Sequence, residues 1–234
     1  MKKLGIIGAM TVEVDTLKQQ MQELEVSHRA GMEFWEGSLE GCPAVVVQCG
    51  VGKVNAALCV QILCDCFEVT HIVNTGVAGS LCAELDIGDF VISQDAMYHD
   101  FTVGPLGYPI GQVPGLGVRS FPADSEMIDY AMAAAEQVHH GHARVGRVAS
   151  GDQFVAERYQ KEKIIADTGA LCTEMEGAAI AHAAWRNETP FVVIRAISDK
   201  ADDSSSMDYP TFEKIAAHRC ASVTQALAKM LNQK

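Results

Sequence analysis

Two glutamates, Glu174 and Glu176, flank Met175 in the segment "ALCTEMEGAAIAHAAW", where an apolar run meets an alanine-rich one. Carboxylates at the edge of a buried element are costly unless a ligand or a partner needs them. Two more acids stand near the ends of other apolar runs. Glu13 follows "LGIIGA", and Asp199 is the last residue of "PFVVIRAISD". Carboxylates that gather at one edge of a sheet are suited to general acid–base chemistry.

These acids are expected to meet because each follows a predicted strand, and ligands of open α/β sheets bind beyond the carboxyl ends of the strands. Glycine-rich turns follow two other predicted strands, at residues 50–53 ("GVGK") and 75–79 ("TGVAG"). Small turns of this kind let a planar ligand and a ribose approach the backbone. Arg195, inside the last predicted strand, is expected to be a buried partner of a carboxylate such as Glu176.

Other uses of acidic residues are less well supported. The eight histidines are scattered, and His139, His140 and His142 fall in a predicted helix–strand turn, which favours solvated side chains over metal ligands. The segment "GIIGAM" does not match the GxGxxG dinucleotide fingerprint. What remains is chemistry in which one acid protonates a leaving group, a second activates water and a third holds sugar hydroxyls. That division of roles is typical of glycosidic bond cleavage without a metal or a cofactor.

The elements that must position these residues alternate along the chain. Short apolar, β-branched runs predict strands at residues 4–9, 44–49, 71–76, 89–99, 144–152 and 190–199. Helical patterns lie at residues 53–67, 124–138, 156–167 and 176–187, with Asp124 as the expected N-cap of the second. Pro210 is expected at the start of a long closing helix. The alternation predicts one domain over residues 1–234, an α/β/α sandwich with a mixed, mainly parallel central sheet. The Gly- and Pro-rich segment 100–122 is predicted to be a long functional loop.

Composition narrows the class of protein. The net charge of −12 disfavours binding of nucleic acid or of an anionic membrane through a basic surface. No apolar run is long enough to cross a bilayer, and Glu13 ends the first run too early for a secretory signal. The eight cysteines form no CxxC motif and are expected to be reduced and buried. These features predict a cytoplasmic protein.

The blocks "GIIGAM", "CGVGKVNAA", "NTGVAGS", "YHD", "SGDQF", "TEMEGAAIAH" and "VVIRAISD" resemble, in order and spacing, the 5′-methylthioadenosine/S-adenosylhomocysteine nucleosidases. This family lies within the purine nucleoside phosphorylase superfamily, and the resemblance covers essentially the whole chain. It implies a nucleoside phosphorylase-like fold and cofactor-free hydrolysis of both nucleosides, releasing adenine and the 5-thioribose product in methionine salvage. It also implies a homodimer, because family members pair through the region of "CGVGKVNAALCVQILCDCF".

The resemblance implies roles for the acidic residues. Glu13 matches the general base that activates the attacking water, and Asp199 matches the acid that protonates N7 of the departing adenine. Glu176 matches the carboxylate that binds the ribose hydroxyls. Arg195 would hold the acidic cluster in place. Two roles stay open for Glu174, contact with the sugar or support of its neighbours.

The remaining candidate residues would bind the substrate. Phe154 would stack on adenine, the Val155 backbone would read its edge, and Ser198 would support Asp199. Met175 would lie beside the ribose and the alkylthio group. The alkylthio pocket would be lined by Val51, Met10 and Tyr209. Val77 stands where a serine is common in the family, which removes a hydroxyl near the substrate but leaves a backbone N–H, and Tyr209 stands where phenylalanine is usual.

Three alternatives remain at this point. A nucleoside phosphorylase on the same fold would need phosphate-binding donors near the first loop, where the sequence instead offers Glu13. Hydrolysis of 6-amino-6-deoxyfutalosine is a second alternative, because the adenine and ribose end of that molecule is the same. A nucleoside-binding or sensor module is the third, although binding alone would not need Glu13, Glu176 and Asp199 together.

Overall fold

The protein is described here by a computed structural model that covers residues 2–202 and 205–232. Within these residues the strands are β1 (Leu4–Gly8), β2 (Gln22–Arg29), β3 (Met32–Leu39), β4 (Cys42–Gln48), β5 (His71–Ser80), β6 (Phe90–Tyr98), β7 (Phe121–Pro122), β8 (Ala143–Ser150), β9 (Cys172–Glu174) and β10 (Phe191–Asp199). The helices are α1 (Thr11–Gln20), α2 (Lys53–Phe67), α3 (Ser125–Val138), α4 (Arg158–Thr168), α5 (Gly177–Arg186) and α6 (Ser205–Asn232), with a short 3₁₀ helix at Gly104–Leu106.

Strand β5 is the centre of a mixed sheet. It pairs in parallel with β1 and β10, and its last two residues pair antiparallel with β9. Strands β10, β6, β8 and β9 lead away from β5 and back to it, so five strands close into a ring, while β1 continues into β4, β3 and β2. Because β1, β4, β5 and β10 run in the same direction, their carboxyl ends meet at one edge.

Helices cover both faces of this sheet. On one face α1, α3 and α6 contribute buried apolar side chains such as Leu17, Ala131 and Val223. On the other face α2 and α5 contribute Leu63 and Ile180. Strands with both faces covered are mostly apolar, and every residue of β10 is buried, including the polar Arg195, Ser198 and Asp199 near its carboxyl end. The predicted α/β fold, with helices on both sides of a mixed sheet, is confirmed.

The predicted helices and strands are found with small changes of boundary. Helix α3 begins after Asp124, whose carboxylate accepts a hydrogen bond of 3.0 Å from the Met127 N–H, as expected of an N-cap. The sequence does not predict α1, β2 or β3. Strand β2 is exposed along most of its length and β3 alternates only weakly, so neither carries the apolar pattern that marks a strand.

The prediction that Pro210 starts the last helix is wrong. Helix α6 begins at Ser205, and Pro210 lies inside it. Proline lacks an N–H, so it removes one backbone hydrogen bond, here near the beginning of a 28-residue helix rather than in its middle.

All eight cysteines are free, as expected, but they are not all buried, because Cys66 is exposed and Cys64 and Cys82 are partly exposed. Across the described residues, no helix is both long and apolar enough to cross a membrane. The single-domain organisation stays a prediction.

Candidate active site

The carboxyl end of β5 supplies the floor of the site, because its glycines let charged side chains approach the backbone. A Cβ at Gly76 would collide with the carboxylate of Glu13 and the guanidinium of Arg195. A Cβ at Gly79 would lie 2.9 Å from Asp199 Oδ1 and 2.8 Å from the Cβ of Ala201. Glycine is therefore required at both positions for the acids to reach this strand.

Glu13 lies in the first turn of α1 and is 1% exposed. Its Oε2 accepts hydrogen bonds from the backbone N–H groups of Ala9 (2.7 Å) and Met10 (3.0 Å), and its Oε1 accepts one from Val77 (3.0 Å). Burial raises the pKa of Glu13, and the charge of Arg195 and these amides oppose that rise only in part. A carboxylate with a raised pKa is a stronger base, which suits the activation of water.

Asp199 ends β10 and is 3% exposed. Its Oδ1 accepts a hydrogen bond from the Ala201 N–H at 2.8 Å, and its Oδ2 lies 3.0 Å from the Ser198 hydroxyl. The same hydroxyl lies 3.4 Å from the carbonyl of Ala78. Since the hydroxyl carries one proton and rotates, it can donate to an ionised Asp199 or turn to Ala78 when Asp199 is protonated. The position therefore accommodates both states of a proton donor.

Glu174 has both oxygens engaged by the protein. Its Oε1 accepts a hydrogen bond from the Ser150 hydroxyl. Its Oε2 accepts from the N–H groups of Glu176 (3.0 Å) and Gly177 (2.7 Å) and from Arg195 Nη2. Of the two roles left open for Glu174, this arrangement favours support of its neighbours over contact with a sugar.

Glu176 stands at the N-cap of α5, so the prediction that it opens this helix fits the structure. Its Oε1 accepts a hydrogen bond from the Gly52 N–H at 2.9 Å, and its Oε2 lies 3.6 Å from Arg195 Nη2. Burial, and next the charge of Glu174, raise the pKa of Glu176 to about 7 against the opposing effect of Arg195. Fewer protein donors engage it than engage Glu174, which leaves lone pairs for ligand hydroxyls.

Arg195 is 1% exposed and joins the acids into one network. Its guanidinium contacts Glu174, lies 3.6 Å from Glu176 and 4.0 Å from Glu13, and donates to Asn74 Oδ1 at 2.6 Å. Burial disfavours the cation, but the three carboxylates outweigh it and raise the pKa of Arg195. With all three acids ionised, the network carries net negative charge, which favours a ligand that develops positive charge.

The network opens into a cleft of about 600 Å³, counting its open mouth. Phe154, 50% exposed, stands at the mouth, with its ring centroid 5.5 Å from that of Tyr209 in an edge-on arrangement. Every residue predicted for the site lines this cleft: Met10, Glu13, Val51, Val77, Phe154, Val155, Glu174, Met175, Glu176, Arg195, Ser198, Asp199 and Tyr209.

Comparison with known proteins identifies the family. The sequence profile of the phosphorylase superfamily matches residues 3–229. A 5′-methylthioadenosine/S-adenosylhomocysteine nucleosidase of Geobacillus thermodenitrificans is 40% identical over 233 residues, which cover 99% of this chain and 98% of that protein. The chain belongs to this nucleosidase family. The crystal structure of the Neisseria meningitidis nucleosidase with methylthio-immucillin-A shares a TM-score of 0.95 and 35% identity, covering 98% of this chain and 100% of that one. A futalosine hydrolase of Helicobacter pylori has a TM-score of 0.93 at 28% identity and covers 98% of both chains.

Two departures from the nucleosidase family pattern have visible contacts. The Val77 N–H, expected to be available to a substrate, instead donates to Glu13 and so holds that carboxylate in place. The Tyr209 hydroxyl lies 3.3 Å from the sulfur of Met10 and 2.9 Å from Glu213. Burial, and next the hydrogen bond with Glu213, raise the pKa of Tyr209. The hydroxyl therefore adds a polar group to the wall beside Met10.

Several residues that line or support this site are not predicted from the sequence. Asn74 and Ser150 bind Arg195 and Glu174, and their signal is a polar residue within or at the end of an apolar strand. Gly52, whose turn alone suggests only a tight bend, donates its N–H to Glu176. Thr173 lines the cleft, and within the described part of the chain its buried hydroxyl has no hydrogen-bond partner.

The predicted turn at residues 139–142 lies between α3 and β8, and its residues do not line the cleft. His140 is solvated as predicted, with 93% of its side chain exposed. The prediction of a solvated side chain is wrong for His139, which is only partly exposed and has a buried Nδ1.

Proposed function

We propose that this protein hydrolyses the N-glycosidic bond of 5′-methylthioadenosine and S-adenosylhomocysteine, releasing adenine and the 5-thioribose product. The observation that carries the proposal is that Glu13, Glu176 and Asp199 line one cleft in a member of the nucleosidase family. The two substrates are those in the names of the relatives.

In the proposed reaction, Asp199 gives its proton to N7 of adenine as the bond between N9 and C1′ breaks. The ribose develops positive charge, which the acidic network around Arg195 stabilises. Glu13 takes a proton from water as the water oxygen bonds to C1′. Phe154 stacks on the base, and Glu176 accepts hydrogen bonds from the ribose hydroxyls.

Water is favoured over phosphate as the nucleophile by the contacts of Glu13. Phosphate sites use cationic side chains or free N–H groups at a helix N-terminus. Here the amides of Ala9 and Met10, at the start of α1, already bind the Glu13 carboxylate. Among the described residues that line the cleft, Arg195 is the one cationic side chain, and three carboxylates surround it. An incoming phosphate would therefore meet negative charge.

Release of adenine from each nucleoside, with and without phosphate, tests the proposal. We expect turnover that does not depend on phosphate and a loss of about 10²–10⁴-fold in Glu13→Gln and Asp199→Asn. Asp15→Asn, an exposed acid on the same helix as Glu13, is the matched control and should retain activity. Phosphate-dependent turnover would indicate a phosphorylase, and tight binding without adenine release would indicate a binding module.

Hydrolysis of 6-amino-6-deoxyfutalosine is the second candidate, because the structural neighbours include a futalosine hydrolase. Val51 lines the cleft and is 48% exposed, so this side of the cleft is open to solvent and compatible with a larger 5′ group. Competition between this compound and 5′-methylthioadenosine in the adenine assay ranks the two. A higher kcat/KM for the futalosine compound would make it the main substrate.

We also propose that the protein is a homodimer that pairs through α2 and the loop after β6. Val54 and Leu58 on α2 are 71% and 48% exposed, and Leu106 in the loop is 70% exposed. Val54 and Leu58 are four residues apart on α2 and so lie on the same side of the helix, and exposed apolar side chains grouped in this way are typical of an interface between chains. Light scattering is expected to give twice the chain mass for the wild type. Leu58→Glu should shift the mass toward one chain, whereas Leu24→Glu, on the exposed strand β2, should not.

A cytoplasmic location without nucleic-acid partners completes the proposal. Eight free cysteines and a net charge of −12 support it. Cell fractionation with an antibody to the protein, and a filter-binding assay with duplex DNA and RNA, test the two statements.

A further inference from the structure

Three side chains that can bind a metal meet outside the cleft, where α3 ends and β6 and β8 begin. Asp89 precedes β6, and His139 and His142 flank the turn between α3 and β8. Each offers one ligand atom, and the three atoms lie within 4.8 Å of one another. Two imidazoles and a carboxylate form a donor set suited to Zn²⁺.

The backbone fixes the two histidines relative to each other. The His142 N–H donates to the carbonyl of His139 at 3.2 Å, which closes the turn. The two rings stack with their centroids 3.8 Å apart and their planes 7° from parallel. The turn therefore presents both imidazoles together before any ligand binds.

Asp89 is held in place by contacts on both of its oxygens. It is 8% exposed, its Oδ1 lies 2.7 Å from His142 Nδ1, and its Oδ2 accepts a hydrogen bond of 2.8 Å from the Asp86 N–H. The carbonyl of His142 in turn accepts a hydrogen bond of 2.7 Å from the Phe90 N–H. Supporting contacts of this kind orient the ligands of metal sites.

His139 supplies the observation that points to a ligand. Its Nδ1 is buried, and within the described residues it has no hydrogen-bond partner. Leaving a buried polar atom unpaired is costly, and a cation bound at this nitrogen would satisfy it. The neighbouring His140 differs, because its Nδ1 lies 2.7 Å from Glu136 and its side chain is 93% exposed.

We propose that Asp89, His139 and His142 form a Zn²⁺ site, with water as the fourth ligand. Tetrahedral zinc with bonds of about 2.0–2.1 Å places its ligand atoms about 3.3–3.4 Å apart. To reach this geometry, the contact between Asp89 Oδ1 and His142 Nδ1 must open from 2.7 Å, and the two stacked rings must turn until one nitrogen of each points at the same position. The side chain of His142 is 47% exposed, which leaves room for that rotation.

Bound zinc would tie the α3–β8 turn to the strand that carries Asp199. The Ile197 N–H donates to the carbonyl of Asp89 at 2.9 Å, and the Gly88 N–H donates to the carbonyl of Ile197 at 2.8 Å. Ile197 stands two residues before Asp199 in β10. The role of the site is thus structural, and its occupancy should raise the unfolding temperature.

Calorimetric titration of chelator-treated protein with ZnCl₂ tests the proposal, with Co²⁺ as a spectroscopic probe of the ligands. We expect one ion per chain, and a rise in Tm of about 5–10 °C when free zinc exceeds the dissociation constant a hundredfold. His139→Ala, His142→Ala and Asp89→Asn should each weaken binding at least about tenfold. His140→Ala is the matched histidine control, and Cys66→Ser controls for the exposed thiol.

Loss of binding in the three ligand variants with retention in both controls supports the site. Unchanged affinity in the ligand variants, or loss in Cys66→Ser, would overturn it, as would a dissociation constant weaker than about 1 mM. A thiolate charge-transfer band in the Co²⁺ spectrum would do the same. If a ligand variant folds poorly, its folded fraction is isolated and its Co²⁺ spectrum is compared with that of the wild type. This comparison tests metal ligation separately from the stability of the turn.

Discussion

Replacing Arg195 by methionine is expected to make the stability of this protein depend strongly on pH. The guanidinium faces Glu13, Glu174 and Glu176 and is 1% exposed. Methionine fills similar space without charge, so three buried carboxylates would remain without their cation. At least one of them would then take up a proton in the folded state, because burial and mutual repulsion both disfavour its ionised form.

The size of the effect follows from the cost of that proton. Protonating a glutamate whose unfolded pKa is near 4.5 costs about 4 kcal/mol at pH 7.5 and about 1.4 kcal/mol at pH 5.5. We therefore expect Arg195→Met to lower the free energy of unfolding by about 4 kcal/mol at pH 7.5, which is typical of a broken buried ion pair. At pH 5.5 the loss should be smaller. The difference would be about 2.7 kcal/mol for a carboxylate that stays ionised in the wild type, and it falls to about 1 kcal/mol if the proton goes to Glu176, whose wild-type pKa is already about 7.

The sign follows from linkage. A carboxyl whose pKa is higher in the folded than in the unfolded state stabilises the fold below its unfolded pKa, and this stabilisation disappears as pH rises through the folded pKa. Burial already raises the pKa of Glu13 and Glu176 in the wild type. Each variant is therefore compared with the wild type at the same pH.

Urea unfolding followed by circular dichroism at the two pH values measures the difference. Arg144→Met is the matched control, because Arg144 lies 2.9 Å from Glu84 with 48% of its side chain exposed. Such a surface pair contributes about 0–1 kcal/mol, with little dependence on pH in this range. Arg195→Lys keeps the positive charge and should show a smaller pH dependence than Arg195→Met. If Arg195→Met lost the same stability at both pH values, within about 0.5 kcal/mol, the loss would be one of packing and the charge argument would be refuted.

Gly76→Ala should lower adenine release more than about 100-fold, because the new Cβ would collide with Glu13. Gly117→Ala is the control, because a Cβ at Gly117 would meet open space. Equal activity of the two variants would contradict this prediction. Asp124→Ala should lower the free energy of unfolding by about 1 kcal/mol in urea through loss of the α3 cap, and no change would show that the cap is dispensable. Tyr209→Phe should alter the ratio of kcat/KM for the two nucleosides more than the stability, and an unchanged ratio would place this hydroxyl outside the substrate contacts.

The helices, strands and caps that depend on local sequence patterns can be predicted from the sequence. Strand β10 begins with a run of apolar residues because helices cover both of its faces. Asp124 is predicted to be an N-cap because its carboxylate can accept a hydrogen bond from a backbone N–H of the first helical turn. Helix α1 cannot be predicted from the sequence, because its polar residues outnumber its buried ones. Its position depends on Glu13 and on packing against α6. Strand β2 depends on pairing with β3 rather than on a pattern of its own.

The location of the site can be predicted from the sequence, because parallel strands bring their carboxyl ends to one edge of the sheet. The separate roles of the acids inside the site cannot be predicted in this way. Glu174 and Glu176 are two positions apart, yet Glu174 receives four protein donors while Glu176 keeps room for a ligand. Two of the four donors, Ser150 and Arg195, are distant from Glu174 in sequence, so the sequence alone does not separate the roles of the two acids.

The charge balance of the site links its structural cost to the proposed reaction. Burying three carboxylates around one guanidinium leaves excess negative charge. Burial first, and then repulsion from Glu174, raise the pKa of Glu176 to about 7. A neutral nucleoside relieves little of the repulsion among these carboxylates. A ribose that becomes cationic as its base departs relieves much more, so the network interacts more favourably with the transition state than with the substrate. The unfavourable electrostatics that the fold maintains in the free protein are thus the source of selective stabilisation during bond cleavage, and the buried Arg195 prevents the same charge from unfolding the site.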